Sequence, residues 1–478
     1  MSLFLKILYW ALLALYWYAI IASIGVVILE NKRPVRAIAW ILVLIFLPYI
    51  GLLFYIVFGR SSLRQGRVAR KIRKTVSTAQ APAISHTLET DQNPLLLKYS
   101  RLVSLLHRNC ESELYANNRI DLFIEGKPLL DAMIAEMEKA ENHIHVEYFI
   151  VESDETGEQF KDVLVKKAKA GVEVRLIYDD LGSWHLNRKM LHEMREAGVK
   201  LQSFFKVRFP FFTTKLNYRN HRKILIIDGK VAFTGGFNIA DRYTHGLEWG
   251  VWRDTHMRVE GDAVAGLQSI FLNDWLYMTG KIHRSERFYP ISSVQNTTYA
   301  QMAGSGPDLD WESIMMGMCH AIHGAVSYVY IQSPYFLPNE SILNALQSAA
   351  LAGVDVRLMI PLRSDSHLSH SASLSYMSQL LDAGVKVYQY KKGFIHAKTI
   401  VIDGDLSIVG SANMDYRSFE QDFEVSAFIY DCAVARSMTE IFKQDIKNSQ
   451  RLHRASWKKR PFYKRFLQAI ARLSSPAL

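Results

Sequence analysis

Cysteine is scarce in this chain of 478 residues, and the three that occur, Cys110, Cys319 and Cys432, lie far apart. No CxxC pair exists, so the spacing gives no indication of a structural zinc site or a disulfide framework. Scattered reduced cysteines are typical of a protein whose folded part sits in a reducing compartment.

Acidic residues are outnumbered as well. The chain has 46 Asp and Glu against 57 Lys and Arg, a net charge of +11, and a sequence pI of about 9.3. This balance favours an anionic partner, which could be nucleic acid, a phosphorylated ligand or an acidic lipid surface. With 49% apolar and 22% charged residues, the composition is that of a folded protein and excludes a disordered chain.

Charge is missing altogether from two stretches near the N-terminus, residues 7–29 and 37–59. Each is long enough to cross a hydrocarbon core of about 30 Å as a helix. Residues 1–60 are therefore predicted to form a membrane hairpin of two transmembrane helices, kinked at Pro48. A hairpin that is embedded without fully crossing is the alternative.

Basic residues flank these stretches unequally. Three lie between them and seven follow the second: Arg60, Arg64, Arg67, Arg70, Lys71, Arg73 and Lys74. The positive-inside rule then predicts an integral, multi-pass membrane protein whose C-terminal part faces the cytoplasm. Residues 61–114 are predicted to be a basic juxtamembrane linker.

The rest of the chain contains an internal duplication. The segment GVEVRL at 171–176 recurs as GVDVRL at 353–358, and each copy ends a strand–helix–strand pattern. A repeat this long indicates two homologous α/β halves, predicted at residues 115–290 and 291–478. Duplicated halves usually face each other across a pseudo-twofold axis, which would bring a shared motif to their interface.

Such a motif exists: H-x-K-x4-D-x6-G-[GS]-x-N occurs once in each half with identical spacing. Its members are His221, Lys223, Asp228 and Asn238 in the first half and His396, Lys398, Asp403, Ser411 and Asn413 in the second. One copy would be weak, but two copies in duplicated halves are a specific signal.

The motif also predicts a local geometry. His and Lys two positions apart share one face of a strand. An Asp-Gly turn would pair Ile227 with Lys230 and fold Gly236 and Ser411 back beside the histidines, leaving room for a substrate atom. Asp228 and Asp403 are candidates for catalysis, with turn formation as the alternative.

These residue types suit cleavage of a phosphodiester. That reaction needs a nucleophile, an acid for the leaving alkoxide and positive charge on the phosphoryl oxygens. Histidine can supply the first two and lysine the third. Asn238, Ser411 and Asn413 can donate hydrogen bonds to the phosphate. No carboxylate cluster stands out, so neither a metal nor another cofactor is expected.

The paired motif resembles the signature of the phospholipase D superfamily from about residue 115 to the end. The resemblance implies two phospholipase D-type α/β halves around one active site and a covalent phosphohistidine intermediate. It further implies that His221 is the nucleophile, that His396 is the general acid, and that an acidic residue downstream of each motif, Asp254 and Glu424, orients the histidines.

The hairpin and the segments at 333–338, 410–418 and 473–476 are similar to bacterial cardiolipin synthases. This resemblance implies phosphatidyl transfer between two phosphatidylglycerol molecules, giving cardiolipin and glycerol in the bacterial inner membrane. The partners would be phosphatidylglycerol and other anionic lipids, with no nucleic acid. A phospholipase D hydrolase and a transferase using another head group are alternatives. The sequence gives no indication of oligomeric state.

Two further features allow two interpretations each. Residues 457–473 place apolar side chains on one helical face among basic residues, as in a helix lying on an anionic membrane or one packed on the catalytic part. Tyr335 and Phe336 could line a lipid entrance or end a core strand.

Overall fold

The computed structural model describes residues 3–30, 34–55, 93–206, 218–281, 283 and 285–477. These residues belong to two compact units, one formed by residues 3–55 and the other by residues 93–477.

The N-terminal unit consists of helices in its described residues, apart from a break at Leu47. Helix α1 spans Leu3–Glu30, α2 spans Pro34–Phe46 and α3 spans Pro48–Phe54. Within the described ranges, one helix, Leu3–Leu29, is long and apolar enough to cross a membrane. The second apolar run is broken at Leu47, because Pro48 has no N–H to continue the preceding helix. The break predicted at Pro48 is present, whereas two spanning helices are not shown; residues 56–59 lie outside the described part.

The first half of the larger unit alternates strands and helices. Its elements are α4 Pro94–Cys110, β1 Leu114–Phe123, α5 Gly126–Met137, β2 His143–Tyr148, α6 Glu155–Lys169, β3 Glu173–Asp179, α7 Arg188–Glu196, β4 Lys200–Phe204, β5 Lys223–Ile227, β6 Val231–Gly235, α8 Asp241–Thr244, β7 Val251–Arg253, β8 His256–Gly261, α9 Val264–Thr279 and a 3-10 turn at Glu286–Phe288.

The second half repeats this order and adds a C-terminal tail. Its elements are β9 Thr298–Ser305, α10 Ser313–His323, β10 Tyr328–Gln332, β11 Phe336–Leu337, α11 Glu340–Leu351, β12 Asp355–Pro361, α12 His367–Asp382, β13 Lys386–Tyr390, β14 Gly393–Ile395, β15 Thr399–Ile402, β16 Leu406–Gly410, β17 Met414–Asp415, α13 Tyr416–Glu420, β18 Glu424–Tyr430, α14 Cys432–Lys447, β19 Ser449–Arg451, α15 Arg454–Lys458, α16 Phe462–Leu473 and a 3-10 turn at Ser475–Ala477.

One mixed sheet runs through both halves. Outward from the antiparallel β1–β9 pair, the strand order is β1-β8-β6-β5-β2-β3-β4 on one side and β9-β18-β16-β15-β10-β12-β13-β19 on the other. Apart from the terminal β19, the two orders match position by position. The predicted pair of homologous α/β halves is thus confirmed.

Part of the predicted linker is in fact a packed helix. Within residues 61–114, α4 spans Pro94–Cys110, and its Leu102 and Leu106 are buried in one core with Met318 of the second half. The helical spacing of the apolar residues in this segment carried the signal, because i, i+3, i+4 recurrence predicts a buried helix face.

The motif hairpins are shifted by one residue from the predicted register. Ile227 pairs with Val231, not Lys230, and in the second half Ile402 pairs with Leu406. The loop therefore has three residues, in which Asp228 and Gly229 have φ values of 53° and 68°. A three-residue loop with a left-handed residue is the next most common hairpin connection after the two-residue turn.

Candidate active site

His221 lies just before β5 and is held by the opposite half of the molecule. Its backbone N–H donates to the carbonyl of Phe423 at 2.9 Å. Its ring Nδ1–H donates to Glu424, with Nδ1 3.0 Å from Oε1 and 3.1 Å from Oε2. Glu424 begins β18 and is fully buried.

His396 repeats this arrangement with the halves exchanged. Its backbone N–H donates to the carbonyl of Arg253 at 2.7 Å, and its Nδ1–H donates to Asp254 Oδ2 at 2.6 Å. The structure thus brings Asp254 and Glu424 to the two histidines. Each acid contacts the histidine of the other half and not the one in its own motif.

Gly236 and Ser411, which occupy equivalent motif positions, lie directly against these carboxylates. A Cβ on Gly236 would lie 1.9 Å from Asp254 Oδ1. The space left by glycine is therefore filled by the carboxylate and not by substrate, contrary to the prediction. Ser411 Oγ donates to Glu424 Oε2 at 2.5 Å, so its hydroxyl is committed to the acid and not to a phosphate.

The two motif asparagines differ. Asn238 uses both ends of its amide within the protein: Oδ1 accepts from the Ile150 N–H at 3.2 Å and Nδ2 donates to Tyr243 Oη at 2.8 Å. Asn413 Oδ1 is buried and has no hydrogen-bond partner among the described residues. A phosphodiester offers acceptor oxygens, so the group of either asparagine that could bind it is the Nδ2 amide, and that of Asn238 already donates to Tyr243.

Both motif lysines are buried beside their histidines. Lys223 Nζ donates to the His221 carbonyl at 2.6 Å, and Lys398 Nζ lies 3.0 Å from His396 Nε2. Burial lowers the pKa of Lys223 to about 7 and that of Lys398 to about 8. The charges of Glu424 and Asp254 act against this lowering at both lysines, and a bound anion would act in the same direction.

The histidines are neutral near pH 7 in the absence of substrate. Burial lowers the pKa of His221, against the opposing effect of Glu424. Burial and the charge of Lys398 lower the pKa of His396 to about 4, against the opposing effect of Asp254. Because Nδ1–H of each ring points to a carboxylate, Nε2 keeps its lone pair and can attack or accept a proton.

Asp228 and Asp403 lie at the far ends of β5 and β15, away from the histidines. Asp228 accepts from the backbone N–H groups of Glu141, Asn142 and His143, each at 2.8 Å. Asp403 accepts from the N–H groups at 326–328 in the same way. Their prediction as catalytic residues is corrected here: both tie a hairpin turn to the start of the neighbouring strand.

Aromatic residues that sequence reasoning largely missed surround the histidine rings. Phe149 stands edge-on to His221 at 4.9 Å between centroids, and Trp252 lies 4.9 Å from His396. Tyr335 lies 6.3 Å from His396 and donates to Asp365 at 2.7 Å, whereas Phe336 is fully buried in the core. Phe149 and Tyr335 each lie within a few residues after the strand that pairs with the motif strand of their half, β2 and β10.

Metal-binding side chains do not cluster in the described ranges, where no group of three or more His, Cys, Asp or Glu could hold an ion. His143 and His145, for example, share the side chain of Gln268 inside the core, at 3.1 Å and 3.2 Å.

Comparison with known families agrees with this architecture. The family model described as cardiolipin synthase, PLD-like domain, matches residues 133–275 and 318–446, one segment in each half. A second model, the phospholipase D-nuclease N-terminal region, matches residues 14–60.

Curated relatives match along nearly the whole chain. A cardiolipin synthase of Geobacillus kaustophilus is 40% identical over 95% of this chain and 91% of its own length, and one of Geobacillus thermodenitrificans is 39% identical over 98% and 95%. Among solved structures, phosphatidylserine synthase of Haemophilus influenzae shares the fold, with a TM-score of 0.62 at 14% identity, covering 80% of this chain and all of that one. The chain therefore belongs to the cardiolipin synthase family of phospholipase D-like phosphatidyltransferases.

Proposed function

We propose that this protein makes cardiolipin and glycerol from two phosphatidylglycerol molecules through a phosphohistidine on His221. One observation carries the proposal: two neutral histidines, each oriented through Nδ1 by a buried carboxylate of the other half, stand beside two buried lysines. This constellation supplies a nucleophile, an acid–base group and positive charge for a phosphodiester.

In the first step, Nε2 of His221 attacks the phosphorus of the donor lipid. The N–P bond forms and the bond from phosphorus to the glycerol head group breaks. His396 gives its Nε2 proton to the departing glycerol oxygen. Lys223 and Lys398 balance the charge that collects on the phosphoryl oxygens.

In the second step, a hydroxyl of the acceptor phosphatidylglycerol gives its proton to His396. The freed oxygen attacks phosphorus and the bond to His221 breaks, which restores the enzyme. One phosphodiester is broken and one is made, so the reaction needs no nucleotide and is reversible.

His396 must acquire a proton before it can act as the acid. In the substrate-free site its pKa is about 4, because of burial and of Lys398. A bound phosphodiester places negative charge against both Lys398 and His396, which opposes that lowering and favours the protonated ring. Substrate binding and protonation of His396 are therefore coupled.

The location proposed is the bacterial inner membrane, with the larger unit facing the cytoplasm. The apolar helix Leu3–Leu29 and the family support membrane association. The second crossing and the orientation rest on the apolar run at 37–59 and on the excess of basic residues after it.

A lipid assay tests the reaction directly. Purified protein in mixed micelles is given phosphatidylglycerol alone, with chelator and without nucleotide. Cardiolipin and glycerol appearing in equal amounts are the expected products. Phosphatidic acid with glycerol would mean that water is the acceptor, and the protein would then be a phospholipase D hydrolase.

Two variants test the roles of the histidines. His221→Ala should abolish turnover and form no covalent adduct. His396→Ala should react with donor slowly and accumulate labelled protein, since attack requires only His221. Normal cardiolipin formation by either variant would contradict the mechanism, and adduct in His221→Ala would reverse the assignment.

A further inference from the structure

Helix α16, Phe462–Leu473, carries an apolar face that no described residue covers. The side chains on this face are Phe462, Tyr463, Phe466, Leu467, Ile470 and Leu473, with exposures of 75, 59, 54, 59, 48 and 79%. Of the whole helix only Ala471 is buried. A soluble surface rarely presents so many large apolar side chains side by side without a partner.

The opposite side of the helix is fixed to the second half. Tyr376 Oη on α12 donates to Ser475 Oγ at 3.3 Å, and Arg472 lies 5.9 Å from the Tyr376 ring. Before the helix begins, Lys458 at the end of α15 pairs with Asp382 at the end of α12, at 2.9 Å. The helix is therefore a fixed part of the second half, and its apolar face points outward because its narrow Ala471 face is the one that packs.

The chain segment that carries this face has charged side chains of one sign. Residues 449–478 contain no Asp or Glu and eight basic residues: Arg451, Arg454, Lys458, Lys459, Arg460, Lys464, Arg465 and Arg472. An amphipathic helix with large apolar side chains on one face and cations around it lies in the plane of an anionic membrane, with that face about 5–10 Å into the interface.

We propose that α16 is an interfacial anchor that docks the second half on an anionic lipid surface. It is a membrane contact separate from the N-terminal hairpin. Because cations draw it to the surface, engagement rises with the fraction of anionic lipid, so the enzyme works best where its anionic substrate is abundant. This last consequence rests on the proposed function, whereas the docking itself does not.

A depth measurement tests docking without turnover. The full chain is placed in nanodiscs with a fluorophore on Phe466→Cys, or on Leu351→Cys as the control, since Leu351 is 73% exposed on another helix. Both variants carry Cys432→Ser to remove the exposed native cysteine. Nitroxide lipids should quench the label at 466 in phosphatidylglycerol membranes, less in phosphatidylcholine alone, and should spare the label at 351.

Three outcomes would overturn the proposal. Quenching of the 466 label in phosphatidylglycerol membranes that is as weak as that of the 351 label would show that the helix stays in water. Equal quenching at 466 in both membranes would remove the role of charge. Protection of the 466 label from both lipid and aqueous quenchers would indicate a protein partner or a second copy on this face.

Activity gives an independent test. Lys464→Glu with Arg465→Glu should lower turnover of bilayer phosphatidylglycerol about tenfold. Turnover of soluble short-chain phosphatidylglycerol by the same protein in phosphatidylcholine should stay near normal. The matched control, Lys127→Glu with Lys189→Glu, reverses two exposed charges on helices of the first half and should leave both rates unchanged. Equal losses on the two substrates would refute docking, while absence of any cardiolipin from the unaltered protein would count only against the proposed function.

Discussion

At the scale of single residues, the two halves position their histidine-orienting carboxylates in different ways. Gly236 admits the Asp254 carboxylate by having no side chain, and Ser411 fixes the Glu424 carboxylate by a hydroxyl. Each residue positions a carboxylate, and that carboxylate orients a catalytic histidine: Asp254 orients His396 and Glu424 orients His221. Gly236 and Ser411 are positioning residues, so their substitution should change catalysis without contacting substrate.

Gly236→Ser tests this, since it makes the first motif look like the second. The new Cβ would displace Asp254 and misplace His396, and kcat should fall at least about 100-fold with KM little changed. The matched change Ser411→Gly removes the hydroxyl that donates to Glu424 and accepts from the Val425 N–H, and should cost about tenfold or less. Equal activity of Gly236→Ser and the unaltered protein would contradict the packing of Asp254 against residue 236.

The lysines predict a dependence on pH. The pKa values of Lys223 and Lys398, about 7 and about 8, mean that both lose positive charge as pH rises through that range. Because kcat/KM reports ionisations of the free enzyme, it should decline between pH 7 and pH 9. Lys223→Arg should move the start of the decline of its residual activity upward, toward the pKa of Lys398, since guanidinium stays charged. A flat profile to pH 9, with unfolding excluded by circular dichroism, would contradict a role for lysine charge.

At the scale of secondary-structure elements, each motif hairpin carries one residue for catalysis and one for stability. The histidine stands at one end of the strand and the aspartate at the other, where it binds three backbone N–H groups of the neighbouring strand's start. The same strand thus positions the reacting group and fastens the hairpin into the sheet.

Asp403→Asn should therefore affect folding more than chemistry. Burial opposes ionisation of Asp403, but three backbone N–H groups hold its pKa below the usual value. The carboxylate thus stabilises the fold above the ordinary aspartate pKa and loses this effect as pH falls through the folded-state value. At pH 7 the variant should lose about 1–3 kcal/mol of unfolding free energy with kcat retained. Asp131→Asn, at an exposed site, is the control.

At the scale of the whole molecule, neither half is complete. Each histidine depends on a carboxylate and a backbone carbonyl from the other half, so the site exists only when the halves are joined.

This exchange predicts an inverted pattern of phenotypes. Asp254→Asn, in the first half, should behave like His396→Ala and accumulate the phosphohistidine. Glu424→Gln, in the second half, should behave like His221→Ala and form little adduct. Trapping the labelled intermediate distinguishes the cases, and the reverse pattern would show that each acid serves the histidine of its own half.

The sequence by itself determined the duplication, the paired motif and the identity of the two histidines and two lysines, whereas Asp254 and Glu424 were implied by the resemblance to the phospholipase D superfamily. Those features are local: identical spacing, strand periodicity and residue chemistry are readable along the chain. Only the tertiary structure decided that Asp254 serves His396 and Glu424 serves His221, because this pairing depends on how the halves face each other. It also decided that Gly236 and Ser411 support carboxylates, that Asp228 and Asp403 stand apart from the site, and that α16 shows its apolar face outward. Each of these depends on which atoms from distant parts of the chain pack around a side chain. The spacing of residues along the sequence does not determine that packing.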